Sequence, residues 1–175
     1  GSGSFLLGAY QCILDHCLKW YISNTPESFP KAVYAARESD WRLTIAEKKR
    51  ILLAHIFGVD IDPQAVEVSK LSLLLKVLEG ENAETLGETM RLFHERALPN
   101  LSDNIKCGNS LVGPDYFTGR LIPDPDEFAR VNAFDWQREF PAAMSAGGFD
   151  SVIGNPPWLM AGYYVGNEID YLRLK

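Results

Sequence analysis

Residues Ile56 to Leu78 constrain the fold of this chain more than any other stretch. Ile56-Phe57-Gly58-Val59-Asp60-Ile61 is a short, largely apolar run that closes on an acid, the pattern of a short buried strand. Asp62-Pro63 follows, and proline suits the first helical position because the N–H it lacks would have no helical partner there. Gln64 to Leu78 is rich in strong helix formers and apolar on most sides, which predicts a helix packed against a sheet. A strand running straight into such a helix points to an α/β fold.

Other segments extend that pattern. Phe5 to about Tyr21 predicts a buried helix. Residues 24–40 contain Pro26, Pro30 and small polar residues, and read as a loop or short irregular helix. Thr44 is placed to N-cap a helix, with Glu47 completing a capping box before Ile51-Leu52-Leu53. A more polar helix is expected from about Ala83 to Arg96, a short strand at Asn104 to Cys107, and a surface loop over Gly113 to Pro125. Phe149-Asp150-Ser151-Val152-Ile153-Gly154 reads as a second buried strand, and it runs directly into Asn155-Pro156-Pro157-Trp158.

The 175 residues leave room for about one domain. With 46% hydrophobic and 23% charged residues the chain reads as a soluble globular protein. No apolar run approaches the ~20 residues a bilayer requires, and no leader-like segment is seen, so no membrane and a cytoplasmic setting are expected. Cys12, Cys17 and Cys107 are odd in number and irregularly spaced, which suits a reducing compartment. Cys12 and His16 share a helical face, but no second ligand pair follows, so no metal site is expected. A net charge of −6 suits a DNA-gripping protein poorly. Lys48-Lys49-Arg50 reads as a solvated helix face.

Four constellations could carry chemistry. Gly1-Ser2-Gly3-Ser4-Phe5 is a glycine-rich turn into a helix, open to close approach by a ligand, though such a run also resembles a linker. Asp60 closes a strand where a carboxylate could accept from both hydroxyls of a ribose; alternatively Asp60 and Asp62 merely cap the following helix. Gly108-Asn109-Ser110 offers a side-chain amide to a purine edge, or is an ordinary Asn turn.

The fourth is the most specific. In Asn155-Pro156-Pro157-Trp158 each proline locks its own φ and restricts the residue before it. The loop is therefore stiff, with the Asn155 side-chain oxygen and the Pro156 carbonyl available as acceptors and Trp158 as a flat face. An exocyclic purine amine is a poor nucleophile because its lone pair is delocalised. Two acceptors on its hydrogens favour a pyramidal nitrogen and stabilise the positive charge that grows there during methyl transfer. Trp158 could stack on a base swung out of the duplex.

These segments, with Ala65-Val66-Glu67 and Asn132-Ala133-Phe134-Asp135-Trp136, resemble successive motifs of the N6-adenine DNA methyltransferases. The resemblance is nearest to large restriction–modification proteins of the type IIG class and their phage-defence relatives, and covers essentially all of the chain. It implies a doubly wound, Rossmann-like fold dependent on S-adenosylmethionine, with a helical insertion at about 22–55. It also implies that the first strand, central in the family's sheet, and the later strands lie outside residues 1–175. The DNA-recognition domain would lie outside them too, leaving this piece inactive by itself. Gly1, Gly3 and Phe5 would lie against the cofactor's methionine part, Asp60 would hold its ribose, and Ile61 would flank its adenine. Asn109, where many relatives carry Asp, would meet the adenine's amino edge beside Ser110. Asn155 and Pro156 would accept from the target amine, with Pro157 stiffening the loop and Trp158 stacking. The implied partner is double-stranded DNA with a flipped adenine, along with a fused or associated nuclease or recognition domain.

Two other readings share the loop. A glutamine or N4-cytosine methyltransferase uses a similar Asn-Pro-Pro-aromatic sequence, but the long stretch between Gly8 and the Asp60 strand, together with Gly108-Asn109-Ser110, favours the restriction type. A non-catalytic interaction module would keep the fold and lose the cofactor.

Overall fold

The computed structural model describes residues 3–37, 40–81, 99–119, 124–155 and 171–172. The chain forms two compact units, one of Gly1–Gly58 and Gln64–Ile105, the other of Val59–Pro63 and Lys106–Lys175.

In the first unit, α1 (Ser4–Ser23) starts at Gly3, whose φ is 72°. A Cβ there would stand 2.7 Å from Ser69 Oγ, so backbone conformation and packing both demand glycine. Only Tyr10 and Leu14 of α1 are buried, while Phe5, Trp20 and Ile22 are exposed. The helix expected to be buried is therefore packed along one face.

The loop expected over residues 24–40 is replaced by more regular structure. After a 3₁₀ turn at Pro26–Ser28, β1 (Val33–Arg37) pairs antiparallel with β2 (Asp40–Leu43). Val33 faces Leu43 and Ala35 faces Trp41 on one side of this hairpin, with Val33 and Leu43 buried in the core. Apolar alternation across two short strands outweighs the flanking prolines.

The predicted cap of α2 (Ile45–His55) is present: Thr44 Oγ1 accepts from the Glu47 N–H at 3.2 Å. Glu47 is itself buried, and its carboxylate accepts from Arg50 at 2.7 and 2.8 Å and from the Tyr21 hydroxyl at 2.9 Å. Those bonds hold its pKa below the ordinary carboxylate value, the Arg50 hydrogen bonds contributing most. Lys48 Nζ lies 3.0 Å from Glu81 Oε1 and donates to the Glu79 carbonyl. The expected solvated face is thus largely neutralised within the chain.

Around these elements sits the main core. Tyr10, Val33, Ile51, Leu52, Leu73 and Val77 are almost wholly buried. The Tyr10 hydroxyl donates to the Lys48 carbonyl at 2.8 Å, and burial pushes its pKa well above the usual phenol value. On α3 (Pro63–Leu78), Val66, Ser69, Leu73 and Val77 share the buried face, leaving Val68, Leu71 and Leu75 exposed.

β3 (Gly58–Asp60) pairs with β4 (Ile105–Cys107). Gly58 N–H donates to the Asn104 carbonyl and Gly108 N–H to the Asp60 carbonyl, both at 2.9 Å. Partners advance in the same direction along both strands, so the ladder is parallel. Asn104 is buried, and its side chain donates to the carbonyls of Leu53 and Ile56 at 2.9 Å, closing the end of α2.

The second unit is built from short pieces: α4 (Pro125–Val131), α5 (Trp136–Glu139) and α6 (Pro141–Ser145). Asp124 caps α4 and Asp135 caps α5. Pro125, expected at the end of a loop, instead opens a helix, and the same expected loop holds a 3₁₀ turn at Pro114–Phe117. Phe149–Gly154 is not a strand: Val152 and Ile153 are 80% and 63% exposed. Its composition suits a strand, but a strand needs a hydrogen-bonded neighbour, and none pairs with it among the described residues. The helix expected at 83–96 lies outside the described residues, as do Gly1, Pro156, Pro157 and Trp158. Among the described residues the fold is mixed α/β with two small sheets.

Candidate active site

The second unit brings Asp60, Ile61, Asn109, Ser110 and Asn155 into one body, whereas Gly3 and Phe5 belong to the first unit. Asp60 stands at the carboxyl end of β3 and is half-buried. Its Oδ1 accepts from the Asp62 N–H at 3.0 Å, forming the turn that aims the chain into Pro63. This turn precedes the helix rather than capping it, and it gives the Asp60 carboxylate one backbone partner. Ile61 follows with 51% of its surface exposed. Its carbonyl accepts from Cys107 Sγ at 3.6 Å.

The end of β4 is fixed just as closely. Gly108 is buried, and a Cβ there would lie 2.6 Å from Phe134 Cδ2. The glycine is required by the close approach of that ring. The Asn109 N–H donates to the Asn132 carbonyl at 2.7 Å, and a parallel bridge joins Asn109 to Ala133. The Asn109 side-chain oxygen accepts from the Leu111 N–H at 3.2 Å. An amide oxygen has a second lone pair, so it can still accept from a ligand's amine. Ser110 is exposed, and its carbonyl accepts from Trp136 Nε1 at 3.2 Å.

Two polar groups thus stand at the carboxyl ends of adjacent parallel strands, where open α/β sheets bind ligands. A carboxylate and an amide suit a ribose diol and a purine amine, the two polar edges of an adenosine. Asn155 is exposed, with Ser151 to Gly154 exposed before it. Gly3 has a packing function, since Ser69 occupies the space a side chain would fill. Phe5 is 54% exposed.

Several supporting residues escaped the sequence reading as individuals. Cys107 bridges the two strand ends, accepting from Asn132 Nδ2 at 3.6 Å as well as meeting Ile61. Asn132 ends α4 at a φ of 45°, a conformation that asparagine tolerates better than most residues. Phe134 and Trp136 pack on the turn itself. The only sequence signal was the run Asn132 to Trp136, which carried no individual roles. Among the described residues no three His, Cys, Asp or Glu gather to hold a metal, and no helix is long and apolar enough to cross a membrane.

The family model of the Eco57I restriction-modification methylase matches residues 54–173. The type II restriction enzyme and methyltransferase RM.Eco57I of Escherichia coli is 33% identical over 159 residues, 91% of this chain and 14% of that protein. The adenine-specific methyltransferase PglX of Streptomyces coelicolor is 23% identical over 165 residues, again 91% of this chain but 12% of its own length. The chain therefore spans about one-seventh or less of these relatives. No solved structure matches.

Proposed function

The chain belongs to the Eco57I restriction-modification methylase family, and from that premise we propose that the intact protein methylates the N6 amine of adenine in double-stranded DNA. The observation that carries this reading is the pair Asp60 and Asn109, held by their own turns at the ends of adjacent parallel strands. On this reading β3 and β4 belong to a doubly wound, Rossmann-like sheet of a methyltransferase. The protein is a site-specific, adenine-specific DNA methyltransferase of a restriction–modification or phage-defence system, with a nuclease or recognition domain fused or associated.

The donor set fits S-adenosylmethionine. Asp60 would accept from the ribose hydroxyls, Ile61 would cover one face of the adenine, and Asn109 with Ser110 would meet its amino edge. Phe5 and the backbone of Gly1 and Gly3 would border the methionine part. When bound, the cofactor supplies a sulfonium-activated methyl group.

The target side is the work of the Asn155 loop. Asn155 and the Pro156 carbonyl accept the two N6 hydrogens, pull the amine out of conjugation and orient its lone pair toward the methyl carbon. Pro157 keeps that loop stiff and offers no N–H to compete. Trp158 stacks on the flipped base and replaces the contacts it lost from the duplex. The same two acceptors would stabilise the positive charge that grows on the nitrogen during methyl transfer, until one N6 proton passes to water.

The direct test incubates the intact protein with duplex DNA and methyl-labelled S-adenosylmethionine, then digests the DNA to nucleosides. Label in N6-methyladenosine is expected. Label in a cytosine product, transfer to a glutamine-containing peptide instead of DNA, or no transfer at all would overturn the proposal.

A further inference from the structure

We infer that Trp136 is a positioning residue that sets the orientation of the Asn109 side-chain amide. The inference rests on the cofactor site proposed above and assigns its control to a residue outside it.

The peptide group between Ser110 and Leu111 is gripped at both ends. Its carbonyl oxygen accepts from Trp136 Nε1 at 3.2 Å. Its N–H donates to Asn109 Oδ1 at 3.2 Å. The plane of this one peptide therefore couples the indole to the amide. An indole has a single donor and no acceptor, so its direction is unambiguous. If that donor is removed, the turn is still closed by the Val112 N–H on the Asn109 carbonyl at 3.2 Å, but its central peptide can tilt and the Leu111 N–H no longer holds the Asn109 oxygen in one direction.

Trp136 is itself firmly held. Its ring packs edge-on to Phe134 at 5.0 Å and to Phe149 at 6.0 Å, and lies tilted against Phe140 at 5.8 Å. Phe134 is the ring that Gly108 makes room for, so the aromatic group meets the cofactor turn at two points. Asp135 caps the short helix that carries Trp136, and Lys106 of β4 lies 3.2 Å from Glu139 at its other end. Phe149 opens the segment that leads to Asn155. The ring thus touches the start of the segment that leads to Asn155, while the N–H acts only on the cofactor half.

That division supplies the test. In the intact protein, Trp136 is replaced by its benzothiophene analogue, which keeps the ring shape and lacks the N–H, and separately by Trp136→Phe. The dissociation constant for S-adenosylmethionine is measured by calorimetry, and kcat at saturating cofactor by label transfer. The analogue should weaken cofactor binding about fivefold, the order of one lost hydrogen bond, with kcat within about twofold of normal. Trp136→Phe should weaken binding similarly and also lower kcat, because the smaller ring withdraws from Phe149. In an Asn109→Ala background the analogue should have no further effect on binding, an outcome a merely structural tryptophan would not give. Unchanged affinity in the analogue, or full additivity with Asn109→Ala, would overturn the inference while the proposed function stood. Absence of cofactor binding by the unmodified protein would overturn both.

Discussion

The two units keep their shapes by different means. The first has a conventional interior, in which Tyr10, Ile51, Leu52, Leu73 and Val77 are almost wholly excluded from water. Its buried polar groups look inward: Tyr10 to a helix carbonyl, Asn104 to two carbonyls, Glu47 to Arg50 and Tyr21. The second has a smaller buried cluster of Val112, Tyr116 and Val131. It relies on side-chain turns at Asp60 and Asn109, caps at Asp124 and Asp135, and a group of aromatic rings. Burial suits a scaffold, because apolar area stabilises without regard to direction. A site must instead aim polar atoms at solvent-accessible space, and only directional bonds do that.

The largest expected effect falls on the directional side. Asn155→Ala in the intact protein should lower the methyl-transfer rate by at least about 10²–10³-fold, the usual consequence of removing a group that stabilises developing charge. Cofactor affinity and melting temperature should barely move, since Asn155 is exposed. Collapse of cofactor binding would show that the division of roles between Asn109 and Asn155 is wrong. The counterpart in the first unit is Leu73→Ala, which truncates a fully buried side chain. Denaturant melts should show a loss of about 2–5 kcal/mol, with the cofactor dissociation constant of the folded protein nearly unchanged. A change in that constant instead would break the contrast between scaffold and site.

Legibility in the sequence follows the same line. Signals carried by neighbours in the chain were readable: the Thr44 cap, the strand ending at Asp60, Pro63 at the head of α3, and Ile105–Cys107. Signals that need a distant partner were not. The hairpin of β1 and β2 depends on Val33 meeting Leu43, and each strand alone is too short to outweigh Pro26 and Pro30. Val152 and Ile153 have strand composition, yet composition cannot report whether a neighbour pairs with them. Gly3 also packs against Ser69, far along the chain, and no local signal in the sequence reveals that contact. Trp136 could not be read as a partner of Ser110, because that bond exists only after the turn has folded.

Gly108→Ala offers a smaller and more discriminating perturbation. The added methyl would overlap Phe134 and force ring or turn to shift, a change that typically costs about 1–3 kcal/mol. Because Phe134 underlies the turn that carries Asn109, part of this cost should appear as weaker cofactor binding. Calorimetry beside a thermal melt separates the two. A melting shift with unaltered cofactor affinity would mean that the turn tolerates movement of its aromatic support. The second unit would then hold its site less rigidly than its hydrogen bonds imply.

The smallest effect is a pH dependence confined to the first unit. Glu47 holds a pKa below its ordinary value of 4.5, chiefly through its hydrogen bonds from Arg50. A carboxylate whose folded pKa is depressed contributes stability that is complete above the unfolded value and lost as pH falls through the folded one. The contribution should therefore be constant at neutral pH and decline below about 4.5 as the proton displaces Arg50. Glu47→Gln keeps the size of the side chain and removes that titration. Melting temperatures followed from pH 7 down to about pH 3 should fall less steeply in the variant. Parallel acid limbs would remove Glu47 from the list of groups that stabilise the scaffold, leaving apolar burial to account for it.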